Sequence, residues 1–205
     1  MERDVQMPRK YVDLHVLRMD RSMASTMAGM GYGHVCVVGE GVYDASSLGI
    51  TVHRKEYLEV ESRTDLLSRL RRLERNVLVC VKPLTREALM VAARDGRVGT
   101  VMVYGGMADV DRHVAQVFKN ILEITVAEII ECFNDGRKWR SLMRIVKAAD
   151  AVGIPTIISS GASREEELLP PRQLGYILAA LKGVDSPVLD SVSTIPLKLL
   201  EDMCV

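Results

Sequence analysis

Asp13 and His15 are the first residues of this chain whose types and spacing suit chemistry. They stand two apart in the apolar run Tyr11–Val16, so on a strand both side chains point to one face. A carboxylate beside an imidazole can hold a divalent ion or move a proton. A metal centre needs more ligands, and the other histidines, His34, His53 and His113, fall in no recognisable spacing. Glu59 and Glu61 share a face too, as carboxylates at period two commonly do. Cys36, Cys80, Cys132 and Cys204 include no C-x-x-C pair, and the first two lie in apolar runs as small hydrophobes, so reduced and inert thiols are expected. No nucleophile elbow and no P-loop occurs. The expectation is a buried Asp13–His15 pair facing the interior, with no catalytic residue and no metal. The turn Ser159-Ser160-Gly161 admits two readings: backbone N–H groups presented to an anion, or a tight turn needing small residues.

The arginines and lysines are more suggestive. The chain has 27 basic and 27 acidic residues, a net charge of zero, which argues against nucleic-acid binding by bulk charge and leaves distribution to decide. Wound as a helix, Arg137 to Gly153 gathers Trp139, Leu142, Val146 and Ala149 into one stripe. Arg137, Arg140, Arg144 and Lys147 form a second stripe nearly opposite, a cationic row that can follow a phosphate backbone or simply face water. A helix from Arg63 to Arg75 would turn Leu66, Leu70 and Leu73 inward and Arg71, Arg72 and Arg75 outward. Arg94 and Arg97 flank a helix C-terminus, where cations complement the helix dipole and compete with any RNA role. Arg112, His113 and Lys119 belong to the next helix, and Arg164 and Arg172 bracket the acidic loop Glu165 to Glu167.

These residues need elements to hold them. Strands are expected at Tyr11–Val16, His34–Val38, Asn76–Val81, Val98–Tyr104, Ile121–Thr125, Thr156–Ser159 and Val188–Val192, with Thr51–Tyr57 an edge or a connector. Ser62 and Thr85 read as helix N-caps, Gly96 as a helix stop, and Gly29, Gly31 and Gly33 as a helix end with a tight turn into the second strand. Alternating strands and helices imply parallel strands joined by right-handed crossovers. Seven or eight such units in 205 residues predict an α/β fold, a compact TIM-like (β/α) barrel forming one domain over 1–205. A doubly wound sheet is the alternative, but no G-x-G-x-x-G follows the first strand. Hydrophobic residues make up 48% and charged residues 26%, an ordinary globular composition. No run of about 18 apolar residues spans a membrane, and the polar start MERDVQMPRK lacks a secretory h-region, so a cytoplasmic protein is expected.

The stretch IPTIISSGAS followed by PPRQLGYIL resembles the late barrel strand and helix of the Rpp30-like protein subunits of ribonuclease P. Tyr11–Val16, Val91–Val98, His113 through Glu123, Val188–Val192 and Pro196 extend that resemblance, in order, over most of the chain. The resemblance implies a barrel related to the polymerase-and-histidinol-phosphatase barrels, which carry an H-x-H metal pair where Asp13 and His15 stand here. It further implies a subunit of the endonuclease that matures the 5′ end of precursor tRNA, with the RNA subunit performing hydrolysis through Mg2+ and the protein binding no cofactor. The implied partners are the ribonuclease P RNA, precursor tRNA, other ribonuclease P proteins and a small Pop-type component 2, the last as a heterotetramer. The RNA contacts are then expected among Arg94, Arg97, Arg112, His113, Lys119, Arg140, Arg144, Arg164 and Arg172. Two other classes remain open: a metal-dependent phosphoesterase of the histidinol-phosphatase barrel type, and a scaffold that binds only proteins.

Overall fold

Seven short runs of apolar residues become parallel strands: β1 Tyr11–Val16, β2 Tyr32–Val38, β3 Thr51–Val60, β4 Leu78–Pro83, β5 Thr100–Met102, β6 Ile121–Thr125 and β7 Thr156–Ser159. The structure, a computed structural model, describes residues 10–39, 43–74, 77–102 and 111–203, without the side chain of Arg112. Each strand pairs with its neighbour in sequence, and every pair is parallel. The last strand then returns to the first. Leu17 N–H donates to Ala162 O at 2.8 Å and Gly161 N–H to His15 O at 2.9 Å, joining the sheet at the C-terminal ends of β1 and β7. The result is an α/β, TIM-like barrel, as the alternation of elements predicts.

Helices fill the connections: α1 Arg21–Gly29, α2 Arg63–Leu70, α3 Arg86–Ala92, α4 Arg112–Val117, α5 Val126–Phe133, α6 Gly136–Ala151, α7 Pro171–Lys182 and α8 Thr194–Met203. Six of them start on a side chain that accepts a first-turn N–H: Asp20, Ser62, Thr85, Asp111, Thr125 and Asp135. Gly31, at φ +89°, makes the tight turn between α1 and β2 that the glycine spacing predicts. Met23, Met27, Leu142, Val146, Leu174 and Leu178 pack on the outer face of the strands, and Leu66, Leu89 and Ile145 continue that layer around β3 to β6. Inside the barrel, Val12, Leu14, Cys36, Leu78 and Ile157 meet Leu200 of α8, which therefore closes the strands' N-terminal end.

Several expectations change. Val188–Val192 is not a strand; Leu189–Val192 is a 3₁₀ turn, because the hydroxyls of Ser191 and Ser193 bond back to Val188 O and Leu189 O and bend the chain. Thr51–Tyr57 is no edge but part of a ten-residue strand between β2 and β4, whose Lys55 is buried in the barrel while Arg54 and Glu56 pair with each other. α2 stops at Leu70, so Arg71 and Arg72 lie in the turn beyond it, and Arg75 is outside the described residues. Gly96 does not end α3, whose last helical residue is Ala92. β4 and β5 begin two residues later than expected; Asn76 and Tyr104 lie outside the described residues. Among the described residues, no helix is long and apolar enough to cross a membrane.

Candidate functional site

Every strand sends one residue to a buried layer in the middle of the barrel: His15, Cys36, Lys55, Cys80, Thr100, Glu123 and Ser159. At its centre is an ion pair with no access to water. Lys55 Nζ donates to Glu123 Oε1 and Oε2 at 2.7 and 2.6 Å and to Leu14 O at 2.8 Å, and it lies 3.2 Å from His15 Nδ1. Thr100 and Ser159 hydroxyls donate to the same carboxylate at 2.6 and 3.1 Å. Burial alone would push the Glu123 carboxyl up, but the Lys55 ammonium against it holds it below the usual carboxylate range. Burial likewise works against the Lys55 charge, and Glu123 overcomes it and holds that pKa above its ordinary value. Burial and then the Lys55 charge push His15 below its ordinary value, so the imidazole is neutral and accepts from the ammonium at Nδ1. Cys36 and Cys80 thiols are pushed up by burial and remain protonated, and Cys132 is buried too; Cys204 lies outside the described residues.

Asp13 does not act beside His15. Its carboxylate accepts the N–H of His15 at 3.1 Å and that of Ser160 at 3.2 Å, at the seam between β1 and β7 where the pairing of β1 is irregular. Burial raises it to about 6 against the Ser160 hydrogen bonds. The N–H groups of Ser160 and Gly161 are thus consumed in closing the barrel, and the tight-turn reading of that segment prevails over an anion site. Gly161 stands at φ +71°, and a Cβ there would meet Ala127 Cβ at 2.9 Å.

Sequence reasoning found His15 but missed Lys55 and Glu123, and it anticipated no further ligands. The structure brings Cys80 and Glu123 to His15, with one ligand atom of each lying within 4.8 Å of the others. A single carboxylate in the apolar strand Ile121–Thr125 was the available signal, since a buried charge requires a partner. Nearer the mouth, Lys82 pairs with Glu59 at 2.7 Å, Tyr57 O–H donates to Glu59, and Glu128 is raised to about 7, by burial first.

The cations of interest lie outside. On α6, Arg137, Arg140, Arg144 and Lys147 are all exposed, opposite buried Leu142, Val146 and Ala149 and half-buried Trp139. Arg140 and Lys147 have no ion-pair partner among the described residues. Arg94 and Arg97 are engaged instead: Arg94 Nε donates to Met90 O, and Arg97 clamps Asp95 with two bonds of 2.9 and 2.7 Å. The same helix end receives Lys119 N–H on Ala93 O and the Asn120 amide on Ala92 O. Arg97 and Lys119, distant in sequence, therefore line one cleft of about 1260 Å³ with Arg71 and Lys198. It opens where β4 to β7 begin, floored by Leu73, Leu78, Ile121 and Leu199. At the opposite end, Arg164 binds Glu167 and Arg172 leans on Tyr176. His113 is exposed on α4, beside Arg112.

Fold and site together define an α/β barrel whose interior is shut by an ion pair and whose exposed cations lie on its ends and helices. No protein-family model matches the chain. It is 30% identical over 169 residues to ribonuclease P protein component 3 of Aeropyrum pernix, covering 78% of this chain and 80% of that one. The chain belongs to the family of ribonuclease P protein component 3. In fold it is similar to a chain of a cryo-EM structure of archaeal ribonuclease P with mature tRNA, at TM-score 0.76 and 12% identity over 94% of this chain and 90% of that one. It is also similar in fold to A. niger ochratoxinase, at TM-score 0.63 and 10% identity over 92% and 71% of the two chains.

Proposed function

We propose that this chain is a protein subunit of ribonuclease P, the ribonucleoprotein that removes the 5′ leader of precursor tRNA, working in the cytoplasm. The observation that carries the reading is the 30% identity over 169 residues to a named component of that enzyme. The RNA subunit performs the hydrolysis with Mg2+, and the protein contributes phosphate contacts and subunit docking. Arg140 and Lys147 on α6, exposed and without an ion-pair partner among the described residues, and the cleft bordered by Arg71, Lys119 and Lys198 support the first role. Exposed Ile130 and Phe133, next to Trp139, support the second, with a small Pop-type component 2 as partner in a heterotetramer. Arg94 and Arg97 are secondary contacts in this reading, since both already serve the end of α3.

The test is reconstitution. Alone, the protein leaves precursor tRNA uncut; added with its partner to the RNA subunit, it raises cleavage at low Mg2+, because bound cations reduce the RNA's demand for metal. Cleavage by the protein without RNA, abolished by His15→Ala, would refute the proposal in favour of a phosphoesterase. No effect on the RNA at any salt would leave a scaffold that binds only proteins.

A further inference from the structure

The buried layer has a composition that an ion pair alone does not require. His15, Cys80 and Glu123 come from three different strands and offer nitrogen, sulfur and oxygen within 4.8 Å of one another. That donor set is the one borderline divalent ions such as Zn2+ select. In a tetrahedral zinc site with bonds of about 2.0–2.3 Å, neighbouring ligand atoms are about 3.3–3.8 Å apart. Contraction by roughly 1 Å, within reach of side-chain torsions, would suffice. Lys55 Nζ sits against two of the three ligands, at 2.6 and 2.7 Å from the Glu123 oxygens and 3.2 Å from His15 Nδ1.

We infer that Lys55 is the barrel's built-in cation, standing where a divalent metal would, and that His15, Cys80 and Glu123 around it form a latent site for a zinc-like ion. Charge arithmetic makes the two occupants equivalent. An ammonium, a carboxylate, a neutral imidazole and a thiol sum to zero. So do a divalent ion, the same carboxylate and imidazole, and a thiolate whose proton has left to solvent on binding. Removing the lysine side chain removes the compensating charge and vacates its volume together, leaving Glu123 buried without a counter-ion. A dication that can take Cys80 as thiolate answers both deficits. The inference does not rest on a role in ribonuclease P and stands or falls separately.

The experiment uses the full chain with Lys55→Ala. Because the layer is sealed, the variant is unfolded and refolded with Co2+ or Zn2+ present, then passed through a desalting column. The variant should retain about one metal per chain, show the near-ultraviolet charge-transfer absorption of a cobalt thiolate, and melt at higher temperature with Zn2+ than without it. The wild-type protein treated identically should retain none. Adding Cys80→Ser to Lys55→Ala should abolish the charge-transfer absorption, which excludes uptake at the surface or at the neighbouring His34–His53 pair. A Lys55→Ala chain that folds and stays metal-free would overturn the inference, as would one that stays unfolded even with metal. Cobalt–thiolate absorption that survives Cys80→Ser, or that appears in the wild-type protein, would overturn it as well. A second variant, Lys55→Met, keeps the volume and loses the charge. It should unfold at lower denaturant than wild type, and Glu123→Gln added to it should restore most of the loss. Lys55→Met as stable as wild type would show that Glu123 needs no cation, and the inference would fall.

Discussion

Two buried glutamates show how a neighbour decides what burial does. Glu123 keeps its charge because Lys55 lies against it, whereas Glu128, at the start of α5, is raised to about 7 by burial that the more distant Lys82 only partly offsets. A carboxyl raised in the folded state binds more protons there than in the unfolded chain between its two pKa values. Its stabilising protonation is therefore fully present below about 4.5 and is lost as pH rises towards 7. At 1.36 kcal/mol per unit, the wild-type protein carries a penalty of about 3 kcal/mol at pH 8 from this group. Glu128→Gln, which cannot ionise, should be more stable than wild type by about that amount at pH 8 and equal to it near pH 4. Urea unfolding at the two pH values measures this, and an equal difference at both would contradict the burial account. Neither glutamate announced its role in the sequence. Glu128 sits in an ordinary first helical turn, and Glu123 needs three other strands before its partners exist.

At the scale of elements, local chemistry was legible and long-range closure was not. β1, β6 and β7 fall on their expected bounds because each is a short apolar run between polar turns. Ser62 and Thr85 cap the helices they were read to cap, since that bond is made within three residues. β3 was obscured because its lysine looks like a solvent-facing residue until the barrel closes round it. The end of α3 was misread for a similar reason: Lys119 and Asn120, far along the chain, satisfy carbonyls that Gly96 seemed placed to release. α6 was read from periodicity alone, and its two stripes are where that reading puts them. If its outer row meets phosphates, Arg140→Ala and Lys147→Ala should each flatten the dependence of log K on log salt by about 0.7–0.9, with the fold intact. Arg94→Gln should instead cost about 0.3–1 kcal/mol of stability through the lost helix C-terminal cation. Unchanged slopes on α6, with a reduced slope for Arg94→Gln, would reverse the assignment.

For the whole molecule, parallel strands impose a separation that no local argument supplies. All seven point the same way, so residues before a strand and residues after one lie at opposite ends of the barrel. Arg71, Arg97, Lys119 and Lys198 surround the entry end, while Arg172 follows β7 at the exit end. Strands of three to ten residues, about six on average, at about 3.3 Å each keep the ends roughly 15–20 Å apart. No single phosphate group reaches both, so if both ends bind RNA, as proposed, they grip separate stretches of it. Free energies of groups that far apart with no shared partner add to within about 0.5 kcal/mol, whereas neighbours on one wall couple. Lys119→Ala and Arg172→Ala should therefore weaken RNA binding by amounts that sum in the double variant. Arg71→Ala and Lys119→Ala, which border one cleft, should depart from their sum by more than about 0.5 kcal/mol. Binding isotherms at fixed salt for the three single and two double variants decide it. Coupling across the barrel as strong as coupling within the cleft would mean that one compact RNA element spans the molecule, and the two-ended arrangement would have to be abandoned.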